Sequence, residues 1–345
     1  MLFLKDIFHG KELIFIAEIG LNHNGNIDTA RKMIIEARNA GADAVKFQTF
    51  IPENMNSAYT GSLIKYGIEK EPTKNEYNFF KKFVLSKIEY HELAKLASEL
   101  NIEFFSSPFD TESVDLLEEL NVKLYKIASS EVTNHILLER IAATKKPVIM
   151  STGISSEKEI SMAIDLLNRK GTPDVILMHC VSLYPLPPEN ANLKRINSLS
   201  NRFGLETGYS DHTKDSKTCE LAAALGSGIF EKHFTLSKEL DCPDKDISLT
   251  PAEFQCLIES VKLVKSIIGN GKIDYGNSEK EVARLARKSL FAKKDIHKDE
   301  LISYNNVIPK RPGIGIPAYE LKNIIGKKVN TEIKEDYLLR MEFFD

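Results

Sequence analysis

The sequence has no apolar run that approaches the ~20 residues needed to cross a membrane. Near its start, charged residues such as Lys5, Asp6 and Lys11 interrupt the apolar stretch that a secretory signal would need. Its four cysteines form no CxxC pair, and nothing else suggests a disulfide framework. We therefore expect a cytoplasmic protein in a reducing compartment, without membrane contact.

A strong net charge is also missing. The formal net charge of -3 provides no basic field that would attract nucleic acid or anionic lipid. With 42% hydrophobic and 28% charged residues, the composition is that of an ordinary folded protein. Its 345 residues can form one large core and a small appendage. We expect no nucleic-acid partner, and any anion must be bound at a local site.

Short apolar runs alternate with longer segments of helical period, which is typical of βα units around a parallel sheet. The apolar runs cover 13–20, 44–50, 103–109, 123–130, 147–153, 174–180, 204–210 and 228–234. The helical segments include 26–42, 86–100, 112–120, 157–171, 217–226 and 251–268. Eight such units predict an α/β fold of the (β/α)₈ TIM-barrel type, although a doubly wound sheet fits the same pattern.

The pattern of the amino-acid sequence changes after the last helical segment. Glycines and charged residues near 270–285 suit a linker. Beyond it, three short strand-like pieces surround turn residues at 289–302, 306–315 and 326–339, too little for a large core. The sequence predicts a barrel domain at 1–275, a linker at 276–287 and a small, mainly β module at 288–345.

Polar residues end the predicted strands, where a barrel places its active site. Lys46 and Lys126 fall in or just after apolar runs, where a buried ammonium group needs an anionic partner. Lysines with neighbouring hydroxyl groups suit phosphate and carboxylate together. Pairing of each lysine with a nearby glutamate is the structural alternative. The hydroxyl candidates are Ser107, Ser129, Ser151 and Ser210.

Two histidines end consecutive predicted strands. The fold could bring His212 and His233 to one ion, and two imidazoles with open positions fit Mn²⁺ or Mg²⁺ better than a closed zinc site. Two hydrogen-bonded core histidines are the alternative, and His23 and His179 are weaker candidates.

A carboxylate stands at the end of the first predicted strand. Glu18 could point into the barrel mouth and act as a general base, or it could form a salt bridge to Lys46 or Lys126.

At these positions the chain resembles the sialic acid synthase family, which includes N-acetylneuraminate, legionaminate and pseudaminate synthases. The resemblance covers nearly the whole length. It implies a TIM barrel followed by an antifreeze-like (SAF) domain, in a domain-swapped homodimer. The matching stretches are AEIGLNHNG, GADAVKFQTF, FFSSPFD, YKIASSE, IMSTG, HCVSLYPLPPENANL, GYSDHT, EKHFTL and KRPGIG.

Position by position, the resemblance implies roles for the site residues. His212 and His233 would bind the metal, and Glu18 would be the catalytic glutamate. Gln48, Tyr184, Asp244 and, from the partner's tail, Arg311 would contact the acceptor sugar. The phosphoenolpyruvate site would comprise Lys46, Ser107, Lys126, Ser129, Ser151, Ser182 and Ser210.

Some positions depart from the family pattern. Ser107 and Ser182 replace Thr and Asn, and Ser130 replaces Gly. CPD at 242–244 replaces GPD, which changes the backbone freedom beside Asp244. KFQTF replaces the KHQTH of many N-acetylneuraminate synthases, which favours the legionaminate and other branches.

The implied reaction condenses phosphoenolpyruvate with N-acetylmannosamine or a close relative and releases phosphate. A 2,4-diacetamido acceptor, as in legionaminate or pseudaminate synthases, is the alternative. Lys46 or Lys126 could instead serve a Schiff-base aldolase, and a non-catalytic sugar-binding protein is a further reading.

Overall fold

A computed structural model describes residues 4–55 and 76–345 of the chain. The chain divides into two compact units, Met1–Gly269 and Asn270–Asp345.

The first unit is built on eight parallel strands. Their hydrogen-bonded order is β3-β2-β1-β8-β7-β6-β5-β4, and the two end strands β3 and β4 lie beside each other, so the sheet curls into a barrel. The predicted fold class is thereby confirmed. The strands are β1 Ile14–Gly20, β2 Ala44–Thr49, β3 Glu103–Pro108, β4 Tyr125–Ile127, β5 Val148–Ser151, β6 Val175–His179, β7 Thr207–Asp211 and β8 Ile229–His233.

Helices connect the strands, and their ends follow from local sequence. Ser86 and Ser156 start α5 and α8 with capping boxes, in which Glu89 and Glu159 bond back to the cap. The helices are α1 Leu4–Ile7, α2 Ile27–Asn39, α3 Pro52–Met55, α4 Glu76–Phe80, α5 Lys87–Glu99, α6 Thr111–Glu119, α7 His135–Ala143, α8 Glu157–Lys170, α9 Arg195–Phe203, α10 Lys217–Ala224 and α11 Pro251–Ile268.

Alternation along the strands divides the core into two layers. Outward side chains such as Phe47 and Leu177 pack against the helices. Inward side chains near the strand starts, such as Ile16 and Ile229, form a second cluster that Leu4 and other α1 residues complete. Further along most of the strands the inward positions become polar, and this change places the candidate site at the carboxyl ends of the strands.

The second unit is small. Strands β9 Ser289–Ala292 and β10 Val307–Lys310 pair antiparallel, and isolated bridges join further extended segments. Its own core includes Leu290, Ile296 and Val329. The segment predicted as a linker contains a helix, α12 Asn277–Ala286, and α13 Leu321–Ile324 lies later in the unit. Across the described ranges, no helix is long and apolar enough to span a membrane.

Candidate active site

The inward positions of four strands carry the charged candidates. In the sheet register, Glu18 on β1 lies beside Lys46 on β2 and beside His233 on β8. Glu18, Lys46, Lys126 and His233 are all buried. Residues that are far apart in sequence therefore meet in one strand-end mouth.

Each of the two lysines bonds a serine there. Lys46 Nζ donates to Ser107 Oγ at 3.2 Å and lies 2.8 Å from Glu18 Oε2. Lys126 Nζ donates to Ser151 Oγ at 2.7 Å. The alternative pairing of each lysine with a glutamate is therefore present, while the role of lysines and serines in anion binding stays a prediction.

Glu231 links these two lysines and is not among the site residues predicted from the sequence. Its Oε1 lies 3.6 Å from Lys46 Nζ and 3.4 Å from Lys126 Nζ, and accepts a 3.0 Å bond from Ser210. Its Oε2 is buried without a hydrogen-bond partner. The signal was present, because Glu231 stands two residues before His233 and thus on the same face of β8.

The electrostatics of this group follow from burial and pairing. Burial opposes the charge of Glu231, yet Lys126 and then Lys46 hold its pKa at about 2. Burial also opposes the charge of Lys46, but Glu18 and Glu231 raise its pKa. For Lys126 burial prevails, and its pKa is lowered. The pKa values of the two ammonium groups are thus shifted in opposite directions.

The remaining hydroxyl candidates gather beside Gly153. Ser129 Oγ accepts a 3.0 Å bond from the Gly153 amide and contacts Cys180 Sγ at 3.1 Å. A Cβ on Gly153 would lie 2.5 Å from Ser182 Oγ. The glycine therefore leaves room for two half-buried serines around a backbone turn, with Cys180 as an unexpected neighbour.

The histidine pair lies close together. The ring centroids of His212 and His233 are 5.6 Å apart, and Tyr184 stacks on His212 at 4.1 Å. His212 Nδ1 donates to the Val181 carbonyl at 2.7 Å, an orientation that leaves Nε2 for a ligand. Burial and then His233 lower the pKa of His212 to about 4, so its ring is neutral.

A divalent ion fits these two imidazoles. Neutral His212 presents a lone pair, and the buried Nδ1 of His233 has no hydrogen-bond partner, lying 3.3 Å from Asp244 Oδ2. Within residues 4–55 and 76–345, no group of three or more His, Cys, Asp or Glu side chains is arranged to hold a metal. Two imidazoles alone would leave positions of such an ion open for water and substrate oxygen atoms.

The two weaker histidine candidates do not join this pair. His23 Nδ1 accepts a 3.0 Å bond from the Gly25 amide, and His179 Nε2 bonds the Ala191 carbonyl at 2.8 Å. Both fit the reading as hydrogen-bonded core histidines.

The residues predicted to contact the acceptor sugar lie in both units. Gln48 Nε2 donates to Glu18 Oε1 at 3.0 Å, and Tyr184 and Asp244 lie at the histidine pair. Arg311 belongs to the second unit. Its predicted role toward a partner subunit stays a prediction.

Phe47, by contrast, faces away from the mouth. Its ring packs against Phe104 at 5.2 Å and Tyr90 at 6.5 Å, in the layer between strands and helices. Of the two His-to-Phe changes in KFQTF, at 47 and 50, the first therefore lies outside the lining of the mouth. What the pair of changes indicates about the acceptor stays a prediction.

Comparisons with known proteins show the family of this chain. A NeuB family model matches residues 33–273, and a SAF domain model matches residues 287–344. An N,N'-diacetyllegionaminic acid synthase from Campylobacter jejuni is 40% identical, with 96% of this chain and 99% of the relative covered. A pseudaminic acid synthase from the same organism is 36% identical over 94% of each chain.

A solved structure is similar as well. The N-acetylneuraminic acid (sialic acid) synthetase from Leptospira borgpetersenii is 37% identical, with a TM-score of 0.70 over 78% of this chain and 90% of that chain. The family resemblance read from the sequence is thereby confirmed, and the chain belongs to the NeuB family of synthases and carries a SAF domain after its barrel.

Proposed function

We propose that this protein condenses phosphoenolpyruvate with an N-acylated hexosamine, forming a nine-carbon sialic-type acid and releasing phosphate. The observation that supports this most is the strand-end mouth, where Lys46 and Lys126 are buried beside Ser107 and Ser151. Two buried ammonium groups with hydroxyl donors suit a small ligand that carries both phosphate and carboxylate.

Phosphoenolpyruvate binding would rearrange the charges of this mouth. The ammonium groups already contact Glu18 and Glu231, so the ligand's anionic groups would join an existing network. Ser210 holds Glu231 through Oε1 and would keep that carboxylate in place. The serines at 129 and 182, gathered around Gly153, would supply further donors to the same ligand.

His212 and His233 would hold a divalent ion, Mn²⁺ or Mg²⁺. When bound, such an ion acts as a Lewis acid toward an aldehyde oxygen. The chain's own contribution is to keep His212 neutral and to fix its ring through the bond from Nδ1 to Val181, which leaves Nε2 available to a ligand.

In the condensation, C3 of phosphoenolpyruvate attacks the open-chain aldehyde carbon with the electron pair of its C2=C3 double bond, so that a carbon–carbon bond forms. The C=O π bond of the aldehyde breaks, and its oxygen takes up a proton to become a hydroxyl group. Water then adds at C2, and the tetrahedral intermediate loses phosphate by C–O cleavage. We assign Glu18 to receive the proton of that water, because its carboxylate lies between Lys46 and Gln48. Lys46 and Lys126 would stabilise the anionic intermediate.

For the acceptor, we favour a 2,4-diacetamido-2,4,6-trideoxyhexose over N-acetylmannosamine. The identity of 40% to a legionaminic acid synthase over almost its full length supports this choice. The alternative acceptor remains the one expected for N-acetylneuraminate synthases.

The deciding experiment measures phosphate release with Mn²⁺, phosphoenolpyruvate and each of three acceptors: N-acetylmannosamine, 2,4-diacetamido-2,4,6-trideoxymannose and its altro isomer. We expect the fastest release with 2,4-diacetamido-2,4,6-trideoxymannose. Absence of phosphate release with all three would refute the synthase. Borohydride trapping of pyruvate on the protein would favour the Schiff-base aldolase instead.

A further inference from the structure

A buried asparagine joins the first strand to the loop that follows the last strand. Asn22 is completely buried, just after β1. Its Nδ2 donates to the Phe234 carbonyl at 2.9 Å and to Ser248 Oγ at 2.8 Å, and its Oδ1 accepts a 3.0 Å bond from the Asp244 amide. Every hydrogen-bonding group of this side chain is therefore used.

Ser248 completes the arrangement from the other side. Its Oγ donates to the Asp244 carbonyl at 2.7 Å while accepting from Asn22. The amide and the carbonyl of Asp244 are thus both held by buried side chains. We call Asn22 and Ser248 the loop clamp.

The loop clamp holds two functional candidates at a fixed separation. Phe234, whose carbonyl Asn22 bonds, directly follows His233, and Asp244 directs Oδ2 to within 3.3 Å of His233 Nδ1. Asn22 therefore connects the backbone beside the imidazole to the backbone that carries the carboxylate. A shift of either segment would change the position of Asp244 relative to the histidine pair.

The chemistry of the position favours asparagine. The buried position needs a side chain whose end carries two hydrogen-bond donors and one acceptor. A primary amide supplies all three without a charge. An aspartate would lack both donors, and an alanine would leave the Asp244 amide and the Phe234 carbonyl without this partner.

We infer that Asn22 is a positioning residue for the acceptor, acting through Asp244 and independently of phosphoenolpyruvate binding. This inference rests on the proposed function and on the contact with the acceptor sugar that the family resemblance implies for Asp244. The lysines and serines of the anion site lie on other inward positions, and the clamp makes no hydrogen bond to them.

The test is a double-mutant cycle between Asn22→Ala and Asp244→Ala, with acceptor kcat/KM at saturating phosphoenolpyruvate as the readout. Loss of a buried amide partner is worth on the order of tenfold in kcat/KM. We expect that loss in Asn22→Ala alone, and less than about a twofold further loss when the change is added to Asp244→Ala. Phosphoenolpyruvate affinity, measured by direct binding, should stay unchanged.

Asn24→Gly is the matched control. Asn24 lies in the same loop and donates to the Asp241 carbonyl at 2.7 Å, but it makes no bond to Asp244. Glycine tolerates its positive φ of 55° and puts no new charge beside the Asp241 carbonyl. This variant should keep the wild-type acceptor kcat/KM. Should Asn22→Ala fail to fold, Ser248→Ala removes the other half of the clamp and enters the same cycle.

Equal losses from Asn22→Ala in the wild-type and Asp244→Ala backgrounds would overturn the inference, as would a parallel loss of phosphoenolpyruvate affinity. If Asp244→Ala itself leaves acceptor kinetics unchanged, the positioning role of Asn22 is contradicted, but the proposed synthase activity is not. If the wild-type protein releases no phosphate with any acceptor, the proposed function fails, and the inference fails with it.

Discussion

The carboxylate of Asp211 and the ammonium group of Lys232 lie 2.8 Å apart, and both side chains are completely buried. They are direct neighbours across β7 and β8, on the outward faces of these strands. Lys232 also donates to the Thr213 carbonyl, and Asp211 accepts bonds from the Thr213 amide and the Tyr209 hydroxyl. The pair thus stabilises the strand ends that carry His212 and His233.

Removal of one partner should destabilise the barrel strongly. Lys232→Met leaves the Asp211 carboxylate buried and uncompensated, which we expect to lower the free energy of unfolding by about 3–5 kcal/mol. Equilibrium unfolding in urea measures this change. The double variant Lys232→Met/Asp211→Asn should recover part of the loss, because the uncompensated charge is gone.

An exposed ion pair serves as the control for Lys232→Met. Lys95 and Glu99 lie 3.8 Å apart on α5, and both are largely exposed. Lys95→Met should cost no more than about 0.5 kcal/mol. A Lys232→Met loss as small as that would contradict a stabilising role for the buried pair.

Phosphoenolpyruvate affinity should depend on pH through Lys126. The lysine faces Glu231 on β8, Lys46 on β2, Glu18 on β1 and Cys180 after β6, and burial lowers its pKa below the ordinary 10.5. As pH rises through this lowered pKa, the ammonium loses its proton and its attraction for the anion. We therefore expect the dissociation constant of phosphoenolpyruvate to rise at alkaline pH below 10.5, as measured by direct titration.

Arginine replacements identify the lysine responsible. A guanidinium group stays charged throughout this range, so Lys126→Arg should remove the alkaline loss of affinity even if binding is weaker overall. Lys46→Arg should retain it, since the pKa of Lys46 is raised by Glu18 and Glu231 despite burial. The reverse result would exchange the two assignments.

Glu18→Gln should separate binding from turnover. The amide preserves the shape of the side chain and its contact with Gln48, but it cannot accept a proton from water. We expect phosphoenolpyruvate affinity to change little while kcat falls by roughly 10²–10⁴, the usual contribution of a general base. Near-normal kcat would remove Glu18 from this role.

Gly153→Ala should weaken phosphoenolpyruvate binding. The added methyl group would lie 2.5 Å from Ser182 Oγ and 2.9 Å from both Cys180 Sγ and Ser129 Oγ, so the serines must move. We expect affinity to fall on the order of tenfold. Gly276→Ala is the control, because the nearest atom to its added methyl group is 3.9 Å away. Equal affinities in the two variants would exclude these serines from the anion site.

Mixed dimers test the proposed role of Arg311. If Arg311 serves the site of a partner subunit, Glu18→Gln and Arg311→Ala should each be inactive alone. Subunits mixed after mild dissociation should regain activity, because one site then combines an intact Glu18 with the partner's intact Arg311. Phosphate release by the mixture, compared with each variant alone, decides the matter. Absence of recovery after verified subunit exchange would place Arg311 outside the partner's site.

The strands and the mouth could be predicted from sequence because their signals are local. Apolar runs with alternating inward positions specify each strand, and polar residues at the run ends specify the site. The outward direction of Phe47 was also predictable, since Lys46 and Gln48 on either side of it both face inward. Whether KFQTF marks the acceptor branch stays a prediction.

The contacts that depend on cross-barrel distances could not be predicted. Glu231 bridges two lysines on strands that are distant in sequence, and Asn22 bonds an amide 222 positions away. No local pattern encodes such partners. Helix α12 was missed for a different reason, because glycines and charges around it resemble a linker.

The division of β2 into inward and outward faces has an evolutionary consequence. If the proposed site is right, a substitution at Lys46 or Gln48 would change what the barrel binds, whereas one at Phe47 would change how tightly the helices fit around it. Ligand preference and stability would then depend on adjacent positions and could change separately. Efforts to redirect the acceptor by mutating this strand should alter every second position and leave the intervening ones alone.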